Sequence, residues 1–238
     1  MGDIGPQRDC VTRSGPAVHG PMRVCFIGLM LALASGCRSS PRAVGANLPA
    51  RFLDHATATM KQLATWRGRS FKQDVHFALV ADDDRGRDGW YDADQSVLVL
   101  VDQPRTYSAN LVLVHELTHA LQDQHFDLSR TSAQPRTSDA ARAWRALVEG
   151  EATLASAELV GFSVTDHPTH ADGPRDPEAD DLLFTYMAGA QYVSALRQEG
   201  GWAAVDAAWQ TPPPSTDHIL RRIASPSTTP PPPTPDVP

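Results

Sequence analysis

Apolar residues recur every three to four positions in several stretches of the chain, which is the spacing of a helix with one buried face. This pattern predicts helices over residues 50–66, 108–125, 138–160, 180–198 and, as a short one, 202–209. Ser108 stands where the second helix begins and Ser138 or Asp139 where the third begins, and each can cap a first helical turn. Gly161 and the pair Gly200-Gly201 stand where helices are expected to end.

Two shorter apolar stretches predict strands. They are Val75–Val80 and the mostly β-branched Val97–Val101. Residues 163–181 hold several Pro and Asp and predict a loop, and the proline-dominated residues 225–238 predict a disordered tail. A few short strands among longer helices predict an α+β domain, mostly helical, over residues 50–224.

The N-terminal region has the pattern of a secretory signal. Met22-Arg23 precedes the apolar run Val24–Ala34, and small residues then lead to Cys37. Leu33-Ala34-Ser35-Gly36-Cys37 resembles a bacterial lipobox, which implies cleavage before Cys37, a lipid on its thiol and an extracytoplasmic protein anchored to a bacterial membrane. The alternative is an ordinary signal peptide with a chance cysteine. We therefore interpret residues 1–37 as a signal region, with Met22 as a possible true start, and residues 38–49 as a tether.

Charge and cysteine content narrow the chemistry of the domain. A net charge of −7 without a basic cluster argues against nucleic acid as a partner. No apolar run reaches the length of a transmembrane helix. No cysteine follows Cys37, so His, Asp or Glu must supply the ligands of any metal in the mature domain.

The pentapeptide His115-Glu116-Leu117-Thr118-His119 spells H-E-x-x-H within the second predicted helix. Positions i and i+4 share a helix face, so both imidazoles can reach one metal ion. Glu116 projects about 100° away and can take a proton from water without being a ligand. The flanks Leu111–Val114 and Leu117–Leu121 are mostly apolar, which predicts a buried helix, and a metal would satisfy two histidines that are otherwise costly to bury. A chance match with surface histidines is the alternative.

A catalytic zinc site needs a third protein ligand, and the sequence offers several. His125 stands where metzincins place their third histidine, but those proteins need a glycine where this chain has Gln122, a good helix former. On an unbroken helix His125 lies about 240° from His119. Glu149 and Glu151 lie on the next predicted helix, about 200° apart, so only one of them can face the metal. Helical periodicity does not choose between these two glutamates.

The run Val114–Phe126, together with Val148-Glu149-Gly150-Glu151-Ala152 and Pro214–Leu220, resembles zinc metallopeptidases of the gluzincin type. The resemblance implies a zincin-like fold with a short sheet, a helix bearing the H-E-x-x-H motif and a downstream helix bearing a glutamate. It also implies that His115, His119 and Glu149 bind Zn²⁺, that Glu116 is the general base, and that the substrate is a peptide or protein.

The resemblance suggests two further roles. Tyr186 or His218 is a candidate donor to the oxyanion, although either can equally be structural. Val97–Val101 stands where zincins place an edge strand that pairs with the substrate, and its alternative is a buried strand. Two other functions stay open: a surface lipoprotein that binds metal without catalysis, and a zinc hydrolase of a non-peptide substrate.

Overall fold

The computed structural model describes residues 40–46, 48–102, 109–134, 136–161 and 177–225. The predicted signal region with Cys37, the predicted helix cap Ser108, most of the predicted loop 163–181 and nearly all of the proline-rich tail lie outside these residues. In the described part of the chain, no helix combines the length and the apolar character that crossing a membrane requires.

The predicted helices are present, with additions. In chain order the helices are α1 (Ala50–Arg67), α2 (Ala109–Phe126), α3 (Leu128–Ser132), α4 (Ser138–Val160), α5 (Pro177–Leu183), a π-helix (Phe184–Ala188), α6 (Gly189–Gln210) and α7 (Thr216–Ala224). Residues 177–179, predicted as loop, belong to α5, and no helix was predicted for α7. Gly200 and Gly201 break α6 as expected, because both leave helical geometry and Gly201 has a φ of 63°.

The ends of α4 follow from local hydrogen bonding. Thr137 caps the helix, since its side chain accepts a hydrogen bond from the Ala140 N–H, so the prediction of Ser138 or Asp139 as the cap is wrong by one or two residues. At the other end Gly161 adopts the left-handed conformation, with a φ of 96°, and ends the helix as predicted.

The strands form one small mixed sheet. They are β1 (Ala43–Val44), β2 (Val75–Val80), β3 (Gly89–Asp92) and β4 (Val97–Val101), in the order β1-β2-β4-β3. β1, β2 and β4 run parallel, and β3 is antiparallel to β4. β4 therefore lies between two strands, so the prediction that it is an edge strand is wrong and its alternative as a buried strand is right. The tether prediction does not hold for β1, which pairs with the domain.

Two apolar clusters form the core. One joins the sheet, α1 and α2 through residues such as Leu98, Leu63 and Leu117. The other joins α4 to α6 and α7 through residues such as Leu147 and Val193. The result is a mostly helical α+β domain, as predicted, in which α2 contacts the sheet and α4 packs between α2 and the helices α6 and α7.

Candidate metal centre

Helix α2 presents both histidines of the H-E-x-x-H motif on one face. The imidazole rings of His115 and His119 lie 4.8 Å apart between centroids and nearly perpendicular to each other. Their side chains are largely buried, with 14% and 11% of their surface exposed. The i, i+4 spacing thus gives the convergence of nitrogen atoms that the sequence predicts.

Glu149 on α4 faces the two histidines. Its Oε2 lies 3.1 Å from His115 Nε2 and 3.3 Å from His119 Nε2. Two ligands of a tetrahedral ion with bonds of about 2.05 Å stand about 3.3 Å apart, so these separations match the edges of such a site. His115, His119 and Glu149 therefore form a group that could hold a metal ion. We refer to these three residues as the metal-binding group.

The charges of this group are strongly coupled. Burial lowers the pKa of His119, but the nearby Glu149 carboxylate raises it more, to about 9. Burial alone would raise the pKa of Glu149, yet His119 and His115 together hold it well below its usual range. Glu149 is therefore ionised at neutral pH. In the metal-free protein a proton on His119 supplies the positive charge that a metal ion would otherwise bring.

Glu151 lies on the other side of α4 and is not available to a metal. Its Oε1 pairs with the Arg67 guanidinium, and its Oε2 accepts a hydrogen bond of 2.7 Å from the Trp209 indole N–H. Both Glu151 and Arg67 are buried, with about 2% of their side-chain surface exposed. Glu149 and Glu151 are two residues apart and have different partners. Glu149 faces the two histidines, whereas Glu151 pairs with a buried arginine.

His125 also lies away from the group. Its Nε2 donates a hydrogen bond of 2.9 Å to the Ser70 carbonyl, and its Nδ1 lies 3.4 Å from an Arg69 guanidinium nitrogen. Burial, joined by the nearby cations, lowers its pKa. α2 continues without a break to Phe126, so His125 points elsewhere, as the helical geometry predicts. The metzincin-like ligand set is therefore not formed.

Gln122, which the sequence analysis treated only as a helix former, contacts His119 directly. Its Oε1 lies 2.9 Å from His119 Nδ1, and its Nε2 donates a hydrogen bond of 3.0 Å to the Val148 carbonyl. Three positions along a helix bring side chains together, so the i, i+3 spacing from His119 was the available signal.

Glu116 is held by the edge strand rather than by the metal-binding group. Its Oε2 accepts a hydrogen bond of 2.8 Å from the Tyr91 N–H on β3. The Tyr91 hydroxyl in turn donates a hydrogen bond of 2.8 Å to Asp123, also on α2. β3, the strand that contacts the candidate base Glu116, was not predicted from the sequence.

A cleft of about 650 Å³ opens beside these residues. His115 and Glu116 line it together with Tyr186, whose ring centroid lies 6.0 Å from that of His115. Much of the remaining wall is apolar and is formed by Leu111, Val112, Leu182, Leu183 and Met187. A second cleft of about 650 Å³ is lined by Glu149 and by β3 residues, including Trp90 and Tyr91. The two clefts together follow β3 past the metal-binding group.

The two candidate oxyanion donors are placed differently. Tyr186 lies in the π-helix, a wider turn than an α-helix and one that is frequent at functional sites. His218 lies on the first turn of α7, is exposed, and has its ring 6.2 Å from that of Tyr192. His218 is not among the described residues that line the cleft, so the structure disfavours it as the donor.

A close contact between two glycines positions the π-helix. A Cβ on Gly150 of α4 would come within 2.2 Å of the Gly189 backbone, and one on Gly189 within 2.1 Å of the Ala146 carbonyl oxygen. The missing side chain at Gly150 thus lets α6 approach α4, at the residue that follows the π-helix. α2 is approached at Ser156, whose hydroxyl lies 3.4 Å from the Leu111 carbonyl.

Comparison of the chain with protein-family models, with curated proteins and with solved structures found no match. The chemistry of the site is therefore inferred from the residues and their geometry.

Proposed function

We propose that this protein is a zinc-dependent hydrolase of peptide bonds, of the gluzincin type. The observation that carries the proposal is the convergence of His115 Nε2, His119 Nε2 and Glu149 Oε2 next to a carboxylate, Glu116, that is not one of these three donors. A metal held only for structure would have no use for that adjacent carboxylate. The lipid predicted on Cys37 would anchor the enzyme to a bacterial membrane outside the cytoplasm.

The donor set favours zinc. Two imidazole nitrogens and one carboxylate oxygen are a recurrent catalytic zinc set, and their separations suit tetrahedral bonds. When bound, Zn²⁺ supplies a Lewis acid and brings the pKa of water close to 7. His115, His119 and Glu149 would hold the ion beside the cleft that His115 and Glu116 line.

Glu116 acts as the general base. It lines the cleft next to His115, within reach of a water between the substrate and the metal-binding group. The Tyr91 N–H fixes one of its oxygens, which sets the direction of the carboxylate. Glu116 takes the proton from water and later delivers it to the leaving amine.

The edge strand β3 supports a peptide as the substrate. Val101 N–H donates to the Asp88 carbonyl, so by the alternation of an antiparallel ladder Gly89 and Tyr91 direct their backbone polar groups away from β4. The Tyr91 N–H is bonded to Glu116, so an extended peptide in the clefts can pair with the backbone groups of Gly89 and with the Tyr91 carbonyl, as in other complexes that add a strand to a sheet. Apolar side chains of the peptide would contact Val112, Leu183 and Met187.

Tyr186 is our candidate for the oxyanion donor. Its ring lies beside His115 on the cleft wall, so a phenol there can approach a carbonyl oxygen held near the metal-binding group. Preorganised donors of this kind lower the barrier because they need no reorientation as charge develops.

Glu116→Gln tests the proposal. The amide cannot accept a proton, so hydrolysis of casein by the zinc-loaded protein should fall by roughly 10²–10⁴-fold while zinc content stays at the wild-type level. Glu158→Gln is the matched control, because Glu158 lies on α4 and pairs with Arg197 instead of the metal-binding group. Casein cleavage by Glu116→Gln at the wild-type rate would exclude this mechanism, and zinc-replete wild-type protein without peptidase activity would favour a protein that only binds metal.

A further inference from the structure

We propose that Gln122 is a positioning residue of the metal site: it holds the imidazole of His119 with Nε2 towards Glu149 and ties together the two helices that carry the ligands. The inference rests on the proposed zinc site. It concerns a side chain that contacts a ligand but supplies no atom to the metal.

The direction of the Gln122 amide is fixed by its second partner. The Val148 carbonyl can only accept a hydrogen bond, so the atom facing it at 3.0 Å must be the amide nitrogen of Gln122. The amide oxygen therefore faces His119 Nδ1, at 2.9 Å. Since that oxygen can only accept, His119 carries its proton on Nδ1.

A proton on Nδ1 leaves the other ring nitrogen for the ligand role. In neutral His119 the lone pair then lies on Nε2, the atom 3.3 Å from Glu149 Oε2. A ring rotated by 180° would exchange Nδ1 with Cδ2 and Nε2 with Cε1, so Nε2 would no longer face Glu149 and the buried Gln122 amide oxygen would face a carbon atom. Gln122 is 2% exposed and His119 9%, so no bulk water replaces the lost bond.

The same amide links the two helices next to the third ligand. Gln122 extends from α2, and the carbonyl it binds belongs to Val148, the residue before Glu149 on α4. One side chain thus sets both the orientation of His119 and the distance between the histidine helix and the glutamate helix. Outer partners of this kind typically change metal affinity by roughly 10–100-fold when removed.

Zinc affinity of three variants tests the inference. Gln122→Met keeps the length of the side chain and loses both hydrogen bonds, so zinc affinity in a chelator competition should fall by roughly 10–100-fold. In Gln122→Glu a protonated carboxyl can accept from His119 and donate to Val148, so zinc affinity should stay within about tenfold of wild type. Thr118→Val is the matched control: Thr118 is buried on α2, but its hydroxyl bonds within its own helix, to the Val114 carbonyl, and zinc affinity should not change.

A spectroscopic readout separates positioning from general support of the core. In the zinc-loaded wild-type protein the His119 Nδ1–H should give a downfield proton resonance with a nuclear Overhauser effect to the Gln122 side chain, and this resonance should move upfield in Gln122→Met. Absence of that contact in the wild-type protein overturns the inference even if the methionine variant fails to fold. Wild-type zinc affinity in folded Gln122→Met, or an equal loss in Thr118→Val, overturns it as well. A wild-type protein that binds no zinc would instead refute the proposed function.

Discussion

Replacement of glutamate by glutamine should have different effects at Glu149 and at Glu151, although both residues lie on α4. Glu149→Gln removes a negative donor from the group formed with His115 and His119. Glu151→Gln removes one of the two carboxylates that pair with buried Arg67, the other being Asp206, and puts an amide nitrogen, which cannot accept, in front of Arg67 or Trp209. The first change should weaken zinc binding, and the second should weaken the fold.

The magnitudes follow from the partners. Structural zinc sites with four protein ligands bind with roughly 10–16 kcal/mol, or about 3 kcal/mol per ligand, so Glu149→Gln should cost about 100-fold or more in zinc affinity. Breaking a buried ion pair by removing one partner costs roughly 3–5 kcal/mol of unfolding free energy when the other charge is left alone, and the cost is smaller here because Asp206 still pairs with Arg67. For a domain of this size, Glu151→Gln should therefore lower Tm by at most roughly 20 °C.

Two assays read these effects separately. Chelator competition gives zinc affinity for the folded protein, and thermal melting in EDTA gives the stability of the metal-free protein. His125→Ala provides the control for a histidine on α2 outside the metal-binding group, and it should leave zinc affinity unchanged. If Glu151→Gln or His125→Ala loses zinc while Glu149→Gln keeps it, the ligand assignment is wrong.

The remaining predictions concern the oxyanion donor and pH. Tyr186→Phe should lower kcat for casein by roughly 10²–10³-fold with KM and zinc content little changed, and an unchanged kcat would remove Tyr186 from the mechanism. Burial lowers the pKa of His119, but Glu149 raises it more, so that it is about 9 in the folded protein and about 6.5 in the unfolded chain. The charged form of His119 therefore stabilises the metal-free protein fully below pH 6.5. This stabilisation is lost as pH rises through 9. Melting in EDTA should show Tm falling between pH 6.5 and 9, and a Tm that is flat or rises over that range would contradict the coupling of His119 to Glu149.

Much of the site was predictable from the sequence, because the positions of its donor side chains follow from the spacing of residues along a helix. The pair His115 and His119 needs only four residues of helix, and α2 and α4 are long enough for their apolar pattern to be clear. The choice between Glu149 and Glu151 was not predictable from periodicity. It depends on Arg67, which lies 84 residues away along the chain from Glu151 and meets it only in the folded core.

Short elements and local bonds were harder to predict. β3 has four residues, Gly-Trp-Tyr-Asp, each half-buried, and neither an alternating nor a continuous apolar pattern marks it. The sequence gives no comparable signal for the π-helix, which packs where Gly189 meets α4. Gln122 was judged by its helix propensity alone, which is insensitive to the hydrogen bond between its amide and His119.

The glycine contact between α4 and α6 links chemistry to backbone spacing. Gly150 directly follows the Glu149 ligand, and Gly189 lies three residues after Tyr186, so the gap between carboxylate and phenol depends on two positions that have no side chain. A single methyl group at either position would force the helices apart and carry the phenol away from the histidines, although every reactive group would still be present. Under the proposed function, the catalytic rate would therefore be sensitive to residues that touch neither substrate nor metal, and an inactive variant need not have lost a functional group.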